Sequence, residues 1–102
     1  MSDTFYIKRG DTSPALRYAL EPVVGLVGAS VQFQMRMRDG ATIIDAPCAI
    51  LEGSMVEYGW SASDTAEAGL FEAEFCVTYA DGAIETFPNN GFLKVRIAED
   101  VR

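Results

Sequence analysis

Two stretches of strict alternation, Ser30 to Arg38 and Phe71 to Tyr79, constrain this protein more than any other feature. In the first, Val31, Phe33, Met35 and Met37 fall on one side and Gln32, Gln34, Arg36 and Arg38 on the other. In the second, Phe71, Ala73, Phe75, Val77 and Tyr79 oppose Glu72, Glu74, Cys76 and Thr78. Successive side chains on a strand point to opposite faces, so each stretch reads as a strand with one side in a core and one in water. Cys76 then belongs to the outer face.

Weaker alternation marks Phe5 to Lys8, Leu16-Tyr18-Leu20, Ile43 to Ala46 and Val56-Tyr58-Trp60, with a last segment broken by Pro88 that resumes at Phe92 to Ile97. Turn residues separate them: Arg9-Gly10-Asp11, Glu21-Pro22, Asp39-Gly40, Glu52-Gly53-Ser54, Asp81-Gly82 and Pro88-Asn89-Asn90-Gly91. Asp39-Gly40 and Asp81-Gly82 are two-residue hairpin signals, because glycine takes positive φ without steric cost. Arg9-Gly10-Asp11 reads as a plain turn. About seven short strands in 102 residues predict an all-β, immunoglobulin-like (fibronectin III-like) sandwich of two antiparallel sheets, as a single domain over 1–102. Its expected core is Phe33, Met35, Tyr58, Trp60, Phe71, Phe75, Val77 and Val95. Ser61 to Gly69 is rich in Ala and Glu, and Asp64 with Glu67 has capping-box spacing; we read it as a corner between the sheets, with a single helical turn.

Chemistry is sparse. Histidine is absent, which removes the usual general base, metal ligand and near-neutral switch. A Ser-His-Asp arrangement is excluded, Cys48 and Cys76 lack further soft ligands for zinc, and Asp39 with Asp45 reads as a turn residue and a solvated acid. The expectation is no enzyme, no catalytic residues, no cofactor and no metal. The formal charge of −7 disfavours nucleic acid and anionic lipid as partners. No apolar run is long enough for a membrane helix, and Met1-Ser2-Asp3-Thr4 lacks a secretory start, so the cytosol is expected, with both thiols reduced.

The strings Phe5-Tyr6-Ile7-Lys8-Arg9-Gly10-Asp11, Leu26-Val27-Gly28-Ala29-Ser30-Val31, Arg38-Asp39-Gly40, Ala68-Gly69-Leu70-Phe71-Glu72-Ala73-Glu74-Phe75, and Asp81-Gly82 before Thr86-Phe87-Pro88 resemble, in their order and spacing, the immunoglobulin-like amino-terminal domains of phage baseplate upper proteins. The resemblance spans nearly the whole sequence. It implies a phage or prophage structural protein, a tail or baseplate spacer or attachment domain, partnered by other tail or baseplate proteins and able to form a homo-oligomer in the particle. The implied location is the virion, with the host cytoplasm during assembly. It also implies that Ser30 to Arg38 lies beside Phe71 to Tyr79 with the last strand on the other flank, so that Glu72 and Glu74 stand between Arg36 and Arg38 on one side and Lys94 and Arg96 on the other. Phe71 stands where many sandwich domains carry a corner tyrosine, which leaves that corner to packing alone. Family members usually continue into trimerising or host-reaching segments, whose roles do not carry over.

Pro88 removes a ladder donor from the last strand, which predicts a bulge or an edge. The candidate partner-binding residues are Phe87, Pro88, Asn89, Asn90 and Phe92, with Phe87 and Phe92 framing a docking surface. The rival reading is a carbohydrate or cell-surface ligand-binding module, which requires Trp60 or Tyr79 exposed on a concave surface.

Overall fold

The computed structural model describes residues 4–38 and 40–101 and shows two β-sheets packed face to face. The strands are β1 (Thr4–Lys8), β2 (Leu16–Ala19), β3 (Ser30–Met37), β4 (Thr42–Pro47), β5 (Ala49–Ile50), β6 (Met55–Tyr58), β7 (Gly69–Thr78), β8 (Ile84–Phe87) and β9 (Leu93–Ala98). The larger sheet runs β1-β9-β7-β3-β4 with β8 also beside β7; the smaller runs β2-β6-β5. The predicted all-β sandwich is therefore the fold.

The extra strands have two origins. β8 and β9 are halves of one broken strand that lie successively along the same side of β7. β4 and β5 are separated only by Cys48, where the backbone leaves the larger sheet for the smaller; β5 carries no alternation and is not legible in the sequence. One pairing is parallel: β1 lies along β9 from Thr4 opposite Lys94 to Lys8 opposite Ala98.

All eight expected core residues are buried, joined by Ile7, Leu16, Leu20, Val31, Ile44, Val56, Phe87, Leu93 and Ile97 among others. Met37, assigned to the inner face, is instead exposed because it sits at the end of β3, past the cover of the smaller sheet. An aromatic cluster fills the centre. Phe33 stacks on Tyr58 at 4.4 Å between centroids and meets Phe75 at 5.1 Å, while Trp60 sits edge-on to Phe33 at 5.7 Å and stacks on Phe5 at the same distance. Such pairs add about 0.5–1.5 kcal/mol each beyond the area they bury. Trp60 is thus a core residue, and its buried indole N–H has no acceptor among the described residues. The carbohydrate reading loses Trp60 as a platform, and Tyr79, its other candidate, is half-buried with its hydroxyl held by Glu85.

Both predicted hairpins form, with loops one residue longer than expected. Tyr79 N–H donates to the Ala83 carbonyl at 2.8 Å, enclosing Ala80, Asp81 and Gly82, and Gly82 takes φ +89° in third place. The other closes from Met37 N–H to the Ala41 carbonyl at 2.7 Å, with Gly40 at φ +114°; Asp39 lies outside the described residues. A turn followed by a left-handed glycine is the usual three-residue solution.

The crossing from β6 to β7 is made of turns, with no helix over 61–69. It does not rest on packing alone. The Tyr58 hydroxyl donates to Asp64 Oδ2 at 2.7 Å, and the same oxygen accepts the Ser61 N–H at 2.9 Å. Asp64 thus spends its carboxylate on the corner rather than on a helix start, and Tyr58 supplies the hydroxyl that Phe71 lacks. Burial, then this bond, pushes the Tyr58 phenol pKa well up.

Candidate functional site

The site follows from how β7 is flanked. On one side β3 pairs with it without interruption from Ser30 opposite Thr78 to Met37 opposite Phe71. On the other, β9 pairs with Gly69 to Ala73 and β8 with Phe75 to Thr78. Glu74 falls in the gap. Pro88 cannot donate to a ladder, and the backbone swings away through Pro88-Asn89-Asn90-Gly91 before returning at Phe92.

The swing leaves a cleft of about 210 Å³ on the outer face of the larger sheet, lined by Gln34, Arg36, Thr42, Asp45, Glu72, Glu74 and Phe92, with Met35 contributing from beneath. Arg36 is fully engaged there. Its Nε and Nη2 donate to Glu72 Oε1 at 3.1 and 2.9 Å, and its guanidinium carbon lies 4.6 Å from the centre of the Phe92 ring. Gln34 Nε2 donates to Asp45 Oδ1 at 3.5 Å. Glu74, opposite Gln34, makes no ion pair among the described residues. Three carboxylates thus share the cleft with one guanidinium, which Glu72 already holds.

The expected charge arrangement holds only in part. Glu72 does lie between Arg36 and Lys94 in register. Arg96, however, stands opposite Leu70, and Arg38 lies beyond the end of β3, so among the described residues Glu74 has no cation in register on either side. Alternation located these acids but could not reveal the gap, which depends on where β9 stops.

Among the candidate partner-binding residues, Phe87 is completely buried opposite Phe75 and cannot frame a docking surface. Its position in β8 points it into the core. Pro88 is half-buried, Asn89, Asn90 and Phe92 are exposed, and of the five only Phe92 lines the cleft. Sequence reasoning missed Arg36, Gln34 and Thr42 as lining residues, because nothing in a single strand marks which outer-face residues gather under a neighbouring loop.

The cysteines are far apart in role. Cys48 packs against the core, its thiol 3.7 Å from the Val31 carbonyl, and burial pushes its pKa up to about 11. Cys76 stands on the outer face opposite Gln32, and both are free. Among the described residues no group of three or more His, Cys, Asp or Glu could hold a metal ion.

No family model and no curated protein sequence matches this protein. Among solved structures, CopC from Methylosinus trichosporium OB3b matches with a TM-score of 0.60 at 11% identity, covering 99% of this sequence and 89% of that one. The match overturns the phage-baseplate reading, and the tail or spacer role, the tail-protein partners and the virion location that followed from it are withdrawn. At this identity the likeness establishes shape: the protein has the two-sheet immunoglobulin-like sandwich that CopC also has.

Proposed function

We propose that this is a non-enzymatic binding domain whose outer sheet face receives a cationic group, such as a lysine or arginine residue of a polypeptide, in the cleft beside Phe92. The carrying observation is the charge imbalance in the lining: Asp45, Glu72 and Glu74 against Arg36, at a position where the strand break leaves Glu74 with no cation in register among the described residues. The exposed Phe92 ring supplies an apolar wall for the aliphatic stem of such a residue. The overall charge of −7 adds long-range attraction for a basic partner.

The test is calorimetric titration with an oligoarginine peptide against an oligoglutamate peptide of the same length. The basic peptide is expected to bind, more weakly as salt rises. The double variant Asp45→Asn/Glu74→Gln is expected to lose about tenfold in affinity, equivalent to about 1.4 kcal/mol. Equal binding of both peptides, or a double variant that binds like the parent, overturns the reading.

The likeness to CopC brings a second reading, a copper carrier outside the cytoplasm. The donor chemistry here does not support it. Copper sites are built from imidazole, thiolate and thioether groups, but this protein has no histidine, its two thiols lie one against the core and one on the outer face, and of its described thioethers Met35 is buried in the core, Met37 is exposed at the end of β3 and Met55 lies in the smaller sheet. We therefore derive no step through copper. Copper retained stoichiometrically through gel filtration would reinstate that reading.

A further inference from the structure

Asn89 and Asn90 stand side by side in the break between β8 and β9, both exposed, and the fold treats them differently. The Asn89 amide is tied twice, donating to Glu85 Oε2 at 3.1 Å and to the Thr86 carbonyl at 2.9 Å. Asn90 is tied nowhere: among the described residues neither its amide group nor the backbone N–H of Gly91 has a hydrogen-bond partner. Gly91 adopts φ +74°, a Cβ built on it would meet nothing within 4 Å, and as a glycine it carries no substituent to shield its backbone nitrogen.

From this we propose that Asn90 is a self-modification site, at which Asn90-Gly91 deamidates through a succinimide. The Gly91 backbone nitrogen gives its proton to solvent base and attacks Asn90 Cγ. A bond forms between that nitrogen and Cγ, the Cγ–Nδ2 bond of Asn90 breaks, and the departing nitrogen takes a proton from solvent and leaves as ammonia. Water then opens the five-membered ring at either carbonyl, giving aspartate or, by the other cleavage, isoaspartate. No oxidant or reductant is needed. The absent Cβ on Gly91 removes the steric obstacle to ring closure, and the free Asn90 amide has no bond to surrender first. Glu85 and Thr86 hold Asn89 away from the same reaction. The product places a new carboxylate two residues from Phe92 in sequence. Isoaspartate also adds a methylene to the backbone where β9 must begin. This chemistry depends on the turn alone and stands whether or not the cleft binds a cation.

The experiment incubates the folded protein in warm, mildly alkaline buffer beside a synthetic peptide spanning Thr86 to Lys94, and follows both by peptide-mapping mass spectrometry with isoaspartate-resolving fragmentation. The expected result is loss of the intact Asn90 peptide at a rate within a few-fold of the free peptide, with Asn89 unchanged, and no conversion at this site in Asn90→Ser. Asn90 surviving in the folded protein while the free peptide is consumed, or Asn89 converting first, overturns the proposal. A denaturant melt of the starting material confirms that the incubated protein is folded.

Discussion

The two flanks of β7 are made of the same kind of strand and do different work. Against β3 the ladder is continuous for eight residues of that strand, with Phe33 opposite Phe75 inside and Arg36 opposite Glu72 outside. Against β8 and β9 it is split, and the split falls opposite Glu74. The inner face does not register the difference, since Phe87, Leu93 and Val95 are as well buried as Phe33 and Met35. Only the outer face does. A sandwich can therefore open a cleft on its solvent side without loosening its core, provided the break occurs where one outward residue of the central strand can go unpaired.

The sharpest way to break this comparison is to remove the residue both flanks share. Phe75 lies between Phe33 and Phe87 and is fully buried, so Phe75→Ala is expected to cost about 3–5 kcal/mol in denaturant unfolding. A loss under about 1 kcal/mol would show that the core is not continuous across β7.

A smaller effect separates the outer residues. Glu72→Gln removes the charged acceptor of both Arg36 bonds and is expected to cost up to about 1 kcal/mol, as for partly exposed pairs. Glu74→Gln, lacking such a partner, is expected to change stability by no more than about 0.5 kcal/mol. Equal losses would mean that the gap does not isolate Glu74.

The smallest effect belongs to the split flank alone. The Tyr79 hydroxyl donates to Glu85 Oε1 at 2.7 Å, and this bond, with some burial, pushes its pKa from 10.0 to about 12. A raised folded-state value means that the contribution is complete below pH 10 and is lost as the pH climbs toward 12. Amide exchange in the β7–β8 hairpin is therefore expected to quicken over that range beyond the intrinsic base-catalysed rise, with β3–β7 unaffected, and Tyr79→Phe should abolish the excess.

Much of the fold is legible because alternation is a local signal. Val31, Phe33 and Met35, or Phe71, Ala73, Phe75 and Val77, need only their own neighbours to declare a face. β5 is hidden because two residues, Ala49 and Ile50, carry no period. The corner reads as a helical turn because Asp64 with Glu67 has the spacing of a helix cap, while the group that claims Asp64, the Tyr58 hydroxyl, arrives from the preceding strand. Phe87 reads as surface because Pro88 beside it suggests an edge, yet the parity of β8 turns it inward. The cleft is legible only as a list of outward acids. Its shape depends on the meeting of β8, β9 and β7, which no single segment encodes. The phage resemblance rests on the order of turns and strands, a pattern that this sandwich can carry without that ancestry.

The parallel pairing of β1 with β9 has a mechanical meaning. Because the strands run the same way, a pull on Thr4 toward one end and on Ala98 toward the other slides them past each other along their length. The hydrogen bonds between them are then strained together rather than peeled one at a time, as they would be in a hairpin opened from its tip. Arg9 bonded to Asp100 at 3.2 Å adds a rivet at the far end of that seam. Tension applied between the two ends would meet this seam before it reached the aromatic centre or the cleft.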